Sequence, residues 1–254
     1  MTKIAVMSDL HIRPWDELGY LDDADIYIVC GDVDSGTYGC SFIDWRFTNK
    51  EVVYIPGNHE FYGEEYFSLG NSLKNYKWEN IKAGGCFNNQ VYYNKKRKIR
   101  FICSLLWSDC SSLPLLFNNK DPFDILKLEK SINDFRQIKY GEEIFSVKIM
   151  TQLHIEAKEF LLKEIMTPYE GKTVVVTHFP PSLRSLEEKH SRDPISAYFM
   201  NELPEEYFEG VNYWICGHTH WRHEYKIGNC TVINNARGYK KEIPEPFQLK
   251  IINV

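Results

Sequence analysis

The stretch Glu51-Val52-Val53-Tyr54-Ile55-Pro56-Gly57-Asn58-His59-Glu60 joins a short apolar run to a polar tetrad headed by glycine. An apolar run of this length without strict alternation reads as a strand covered on both faces. The residues after it then sit at the strand's carboxyl end, where open α/β sheets place their ligands. The same grammar recurs four more times. Residues 3–7 lead into Ser8-Asp9-Leu10-His11, and 25–30 into Gly31-Asp32-Val33-Asp34. Residues 172–177 lead into His178-Phe179-Pro180-Pro181, and 212–216 into Gly217-His218-Thr219-His220. Five strand ends can therefore converge on one place.

The side chains at those ends are chemically coherent. Asp, His and Asn offer oxygen and imidazole nitrogen without thiolate, a set that suits Mn²⁺, Fe, Zn²⁺ or Ni²⁺ better than Ca²⁺. There are too many donors for one tetrahedral site. They match two ions about 3.5–4 Å apart that share a bridging carboxylate. Asp9 with His11, and His218 with His220, are spaced i and i+2, so an extended segment would aim both members of a pair inward. Glycines 31, 57 and 217 are expected to let the backbone turn at the strand ends.

The rest of the chain frames this core. Helices are predicted over 38–48, 62–76 and 146–166; in the last, Val147, Met150, His154, Ala157, Leu161 and Ile165 recur at helical spacing before Pro168 stops it. Hairpins are predicted over 90–104 and 224–234, and a last strand over 247–254. Strands before and after the long helix imply a layered α/β domain with two sheets face to face. The whole chain, 1–254, reads as one domain, with a possible active-site insertion at about 105–143.

Composition sets the class. The 254 residues are 43% hydrophobic and 26% charged, which is globular and excludes disorder. A net charge of −5 argues against bulk nucleic-acid binding. The basic run Lys95-Lys96-Arg97-Lys98 falls between two strand-like segments and reads as a solvated hairpin turn. Seven cysteines, odd in number and without a CxxC, read as free thiols of a reducing compartment. No signal peptide and no membrane-length apolar run is present, so a cytoplasmic protein is expected.

The series D-x-H, G-D, G-N-H-E, H and G-H-T-H resembles the calcineurin-like metallophosphoesterase superfamily. Gly57-Asn58-His59-Glu60-Phe61-Tyr62, Leu106-Trp107-Ser108-Asp109, residues 132–138 and Asn235-Ala236-Arg237-Gly238-Tyr239 resemble a bacterial and phage branch of it. The resemblance implies a four-layer α/β/β/α sandwich of two mixed sheets flanked by helices. It implies two divalent ions, Mn²⁺ first among the candidates. One would be held by Asp9, His11, Asp32 and His220, the other by Asp32, Asn58, His178 and His218. It implies hydrolysis of a phosphomonoester or phosphodiester by a hydroxide bridging the metals. His59 would stabilise the transition state or protonate the leaving group, an imidazole being able to do either.

One departure bears on substrate handling. Protein-phosphatase-like members carry G-D-x-x-D-R; here Ser35 and Gly36 stand in the last two places, and Asp34 lies one residue early. Asp34 can orient His59 or cap the helix that follows. The missing arginine argues against a protein phosphatase and leaves Arg237, then Arg13, as candidates to grip phosphate. Tyr62, Trp107 and Trp221 can stack a base at the mouth or simply pack. His154 reads as a core-edge residue, His190 as solvated, and His223 as a strand-surface residue.

The expected substrate is a small phosphate ester, with nucleotides and cyclic nucleotides the leading class. Two alternatives stand beside it: a nuclease acting on DNA or RNA, and a scaffold that keeps the fold without turnover. The sequence leaves native metal and oligomeric state open.

Overall fold

The apolar runs that end in polar residues are strands, and they lie in two sheets. The computed structural model describes residues 1–12, 23–112, 125–190, 193–239, 241–242 and 247–254. Among these residues the strands are Lys3–Met7 (β1), Ile26–Cys30 (β2), Glu51–Ile55 (β3), Ala83–Cys86 (β4), Gln90–Asn94 (β5), Ile99–Ser104 (β6), Lys139–Tyr140 (β7), Glu143–Ile144 (β8), Lys172–Thr177 (β9), Tyr213–Cys216 (β10), His223–Ile227 (β11), Cys230–Asn234 (β12) and Lys250–Asn253 (β13). The α-helices are Tyr38–Arg46 (α1), Tyr66–Lys74 (α2), Ile125–Ser131 (α3), Asp134–Gln137 (α4) and Val147–Met166 (α5).

The first sheet runs β13-β1-β2-β3-β4, parallel except for β13; the second runs β11-β12-β10-β9-β6-β5, with antiparallel β11 and β5 at its edges. Alternation along each strand divides the side chains between layers. Ile4, Val6, Ile28 and Val53 of the first sheet meet Phe101, Val174, Val176 and Ile215 of the second in an apolar layer between the sheets. On its other face the first sheet packs Tyr27, Val29, Val52 and Tyr54 with Cys40 and Ile43 of α1 and Leu69 of α2. The second sheet packs Val175, Trp214 and Val232 with Ala157, Leu161 and Ile165 of α5. The result is the four-layer helix–sheet–sheet–helix sandwich.

Local signals explain most boundaries. Ser146 caps α5 through its side chain to Ile149 N, and Thr167, held extended before Pro168, ends it. Helix α2 begins at Tyr66 rather than 62, because Glu65 caps it by accepting from Phe67 N and Ser68 N. The preceding residues form a 3₁₀ turn, His59–Phe61. Strand β4 was not legible, since Ala83-Gly84-Gly85-Cys86 has no apolar pattern. Both hairpins form; in the basic turn Arg97 pairs with Asp25 at 2.7 Å. All seven cysteines are buried and free. Among the described residues no helix is long and apolar enough to cross a membrane.

Candidate metal centre

The carboxyl ends of β1, β2, β3, β9 and β10 are tied together before any metal is considered. His218 N donates to both carboxylate oxygens of Asp9, at 3.0 and 3.1 Å. His59 N donates to Asp32 Oδ1 at 3.0 Å, and Gly217 N to the His178 carbonyl at 2.9 Å. Gly57 is where this crowding is tightest: a Cβ there would lie 2.1 Å from Asp32 Oδ1. Glycine is needed at 57 for close approach, and at Gly31 for a φ of +82°.

Two groups of donors result. Asp9, His11, Asp32 and His220 have ligand atoms all within 4.8 Å of one another, and so do Asp32, His178 and His218. Asp32 belongs to both. Its Oδ1 lies 3.4 Å from His178 Nε2, and its Oδ2 lies 3.8 Å from His11 Nε2. Asn58 joins the second group, its Oδ1 being 3.1 Å from His178 Nε2. Several imidazole nitrogens face each other rather than a donor: His11 Nε2 and His220 Nε2 at 2.9 Å, His218 Nδ1 and His178 Nε2 at 3.2 Å. Imidazole nitrogens crowded together around buried carboxylates are the arrangement a divalent cation satisfies.

The outer contacts select the ring nitrogens. His178 Nδ1 donates to the Cys30 carbonyl at 2.7 Å, and His220 Nδ1 donates to Glu242 Oε2 at 2.6 Å. Each bond leaves Nε2 turned inward, as in carboxylate–histidine or carbonyl–histidine pairs behind metals.

The backbone here departs from the expected extended pairs. Asp9, His11, Asp32, His218 and His220 all have positive φ, from +41° to +68°. The left-handed region costs a non-glycine residue roughly 1 kcal/mol or more. Asp and His tolerate it better than branched residues do. The conformation is held by bonds across the site, with Asp9 N donating to the Gly31 carbonyl and His11 N to the Asp32 carbonyl. The turning that was expected of glycines is thus shared by the polar residues themselves.

Charge is unevenly distributed. Burial pushes the Asp32 carboxyl up, but the imidazoles of His178, His59 and His11 outweigh it and hold it well below its ordinary value. For Asp9 burial wins, and its carboxyl is raised. Burial drives His11 down to about 3 and His218 well below the usual range. His178 goes the other way: burial opposes its charge, but Asp32 and Asp9 push it up to about 10.

Other expected residues are more scattered. His59 stacks on Tyr62 at 4.3 Å, with Nε2 3.8 Å from Asp32 Oδ2. The Asp34 carboxylate accepts from Ser35 N at 2.8 Å, and α1 begins after Thr37, so Asp34 does not cap that helix. Half-buried Arg237 donates to the Leu10 carbonyl at 2.7 Å. Arg13 lies outside the described residues. Trp107 is buried against Phe145 and Phe179, so it packs rather than stacks at the mouth. His154 bonds to the Trp107 carbonyl beneath it.

Three carboxylates escaped sequence reading. Glu242 is the partner of His220. Asp134 accepts from Asn58 Nδ2 at 3.0 Å. Glu60, fully buried, accepts from the backbone N–H of Asp32, Val33 and Gly57 and from Tyr54 OH. It clamps the β2 and β3 loops together. Glu60→Ala would strand four buried donors, and a loss of about 3–5 kcal/mol in urea unfolding of the metal-free protein is expected. A loss under about 1 kcal/mol would show that water replaces the carboxylate.

The donor cluster opens into a cavity of about 920 Å³, walled by Tyr62, Asn133, Tyr198, Phe199, Trp221 and Tyr239 among others. Its described lining includes Asp32, Asn58, His59, His218 and His220.

Comparison with known proteins gives the fold and the family. The chain is 25% identical over 209 residues to an uncharacterized protein of Acanthamoeba polyphaga mimivirus, covering 76% of this chain and 69% of that one. Its fold is similar to that of the phosphopantetheinyl hydrolase of Mycobacterium tuberculosis, with a TM-score of 0.70 and 16% identity over 98% of this chain and 95% of that one. The family model described as calcineurin-like phosphoesterase matches residues 2–222, the span that holds every donor of the two groups, and the chain belongs to that family.

Proposed function

We propose that this phosphoesterase binds two divalent ions, one among Asp9, His11, Asp32 and His220, the other among Asp32, Asn58, His178 and His218. The observation that carries the reading is the sharing of Asp32 between two donor groups, each with ligand atoms within 4.8 Å. Such an ion pair, when bound, supplies an activated water and positive charge for the phosphoryl oxygens. The protein's own groups do the rest. Asp32 and Asp9 supply buried negative charge, while the Cys30 carbonyl and Glu242 fix the histidines behind. His59, facing the cavity with its ring 29% exposed, is the group we assign to give a leaving oxygen a proton or a positive partner. Asp34, bonded to Ser35, and Arg237, bonded to Leu10, remain accessory candidates for orienting His59 and for gripping phosphate.

We read the substrate as a small phosphate ester of nucleotide size. Cavities of about 300–1,000 Å³ suit small ligands, and aromatic walls suit a planar group. The chain is read as one domain, 1–254, with an active-site insertion at about 105–143; within that stretch Ser131, Ile132, Asn133 and Asp134 line the cavity. Seven buried thiols accord with a cytoplasmic location.

The test is metal analysis of the purified protein, with hydrolysis of p-nitrophenyl phosphate and its bis ester in added Mn²⁺. A panel of nucleotides, cyclic nucleotides and a phosphopantetheinyl ester follows. Two ions with turnover of either model ester is expected. Two ions with no turnover of any ester would favour a scaffold, and cleavage of polynucleotides alone a nuclease.

Metal binding should depend on pH with a definite sign. In the metal-free protein His178 stays protonated up to about 10, so an ion entering beside Asp32 must displace that proton. The affinity of that site is expected to fall by about tenfold for each unit of pH lowered below 10, one proton being released per ion. Titration calorimetry in two buffers of different ionisation enthalpy measures the released proton directly. An affinity independent of pH would remove His178 from the ligand set.

A further inference from the structure

We infer that Asp134 is a positioning residue that turns the Asn58 amide so that its oxygen, and not its nitrogen, faces the second metal position. The inference rests on the proposed reading of Asn58 as a ligand. An asparagine side chain presents either a carbonyl oxygen or an NH₂ group, and only the oxygen coordinates a cation. Nothing within Asn58 itself chooses between them. A carboxyl oxygen that already accepts other O–H donors does, because it offers the amide an acceptor and no hydrogen.

Asp134 supplies that choice. It has no solvent exposure, and its Oδ1 accepts from Asn58 Nδ2 at 3.0 Å and from Tyr62 OH at 2.7 Å. Its Oδ2 accepts from Tyr198 OH in a short bond. Three donors from two separate segments, 58–62 and the one carrying Tyr198, thus hold one carboxylate still. The consequence on the far side of the amide is that Asn58 Oδ1 points at His178 Nε2, 3.1 Å away. The same carboxylate anchors Tyr62, whose ring stacks on His59. The residue comes from α4, within the stretch 132–138 whose sequence stood out without a role.

A merely structural Asp134 would pin α4 to the tyrosines and leave metal binding unchanged. The two are separated by Zn²⁺ titration calorimetry and metal counting on the full chain, comparing wild type, Asp134→Ala, Asp134→Asn, Asn58→Ala and the Asn58→Ala/Asp134→Ala double variant. Wild type is expected to take two ions. Asp134→Ala should keep the first and bind the second about 10–100-fold more weakly, the usual effect of losing an outer partner of a ligand. Asp134→Asn can still offer oxygen to Asn58 and donate to Tyr198, so it should stay within about tenfold of wild type. In the Asn58→Ala background, Asp134→Ala should add no further loss.

Unchanged second-ion affinity in Asp134→Ala overturns the inference, and so does a loss that persists without Asn58. A wild type that binds no ion pair overturns the ligand reading itself, which is a distinguishable result. If Asp134→Ala does not fold, nuclear magnetic resonance of zinc-loaded wild type decides. The Asn58 side-chain NH₂ should exchange slowly with water and show a displaced proton resonance; exchange as fast as that of an exposed asparagine overturns the inference.

Discussion

Asp32→Asn is expected to lower turnover by about 10³ or more, equivalent to roughly 4 kcal/mol of transition-state stabilisation. The change is one atom, and the reason lies in what each carboxylate oxygen does. Oδ1 accepts the His59 backbone N–H and lies beside His178; Oδ2 lies beside His11 and His59. An amide has one acceptor oxygen. If it keeps the His59 N–H, an NH₂ group is turned toward His11, where a ligand is needed. If it flips, a buried N–H is left unpaired. Either way one donor group loses its shared oxygen, and the carboxylate that does most to hold His178 charged is gone. Metal analysis should show fewer than two ions per chain, and the kcat of a p-nitrophenyl ester should fall with it. Two tightly held ions and activity within about tenfold of wild type would mean that Asp32 does not bridge.

His59→Asn should behave differently, and the contrast is the informative part. His59 holds Asp32 through its backbone N–H, which the substitution keeps. Both ions should therefore remain. The lost imidazole should slow turnover by about 10²–10⁴, the usual contribution of a positioned acid or base. The loss should be greatest for esters whose leaving group is a poor one, such as an alkyl alcohol, and smallest for p-nitrophenolate, which leaves without a proton. A series of phenyl esters gives the dependence on leaving-group pKa, which should steepen in the variant. An equal loss across the series would place His59 elsewhere in the reaction, and loss of metal would make it part of the cage.

The strands were readable because their signal is local. Valine and isoleucine in short uninterrupted runs, each closed by a polar residue, describe a buried strand and its end within ten residues. Strand β4 escaped because its glycines carry no such signal. Residues of the site divide in the same way. Asp9 with His11 and His218 with His220 announce themselves by spacing. Glu60, Asp134 and Glu242 do not, since an isolated carboxylate in sequence is most often a solvated one. Asp134 finds Asn58 across 76 positions, and Glu60 reaches back 28 to Asp32. Trp107 illustrates the converse: conspicuous in sequence, it is buried in the core with Phe145 and Phe179.

Read alone, the order of residues established the layered sheets, the five loops that carry the donors and the chemical type of those donors, because each depends on neighbours a few positions apart. Folding in three dimensions settled matters of angle and atom: the left-handed backbone at Asp9, His11, Asp32, His218 and His220, which ring nitrogen of His178 and His220 turns inward, and which end of the Asn58 amide faces the centre. Those choices are made by groups donating and accepting across the sandwich, from segments brought close only when the two sheets pack, and hydrogen-bond direction at close range leaves no trace in a linear pattern.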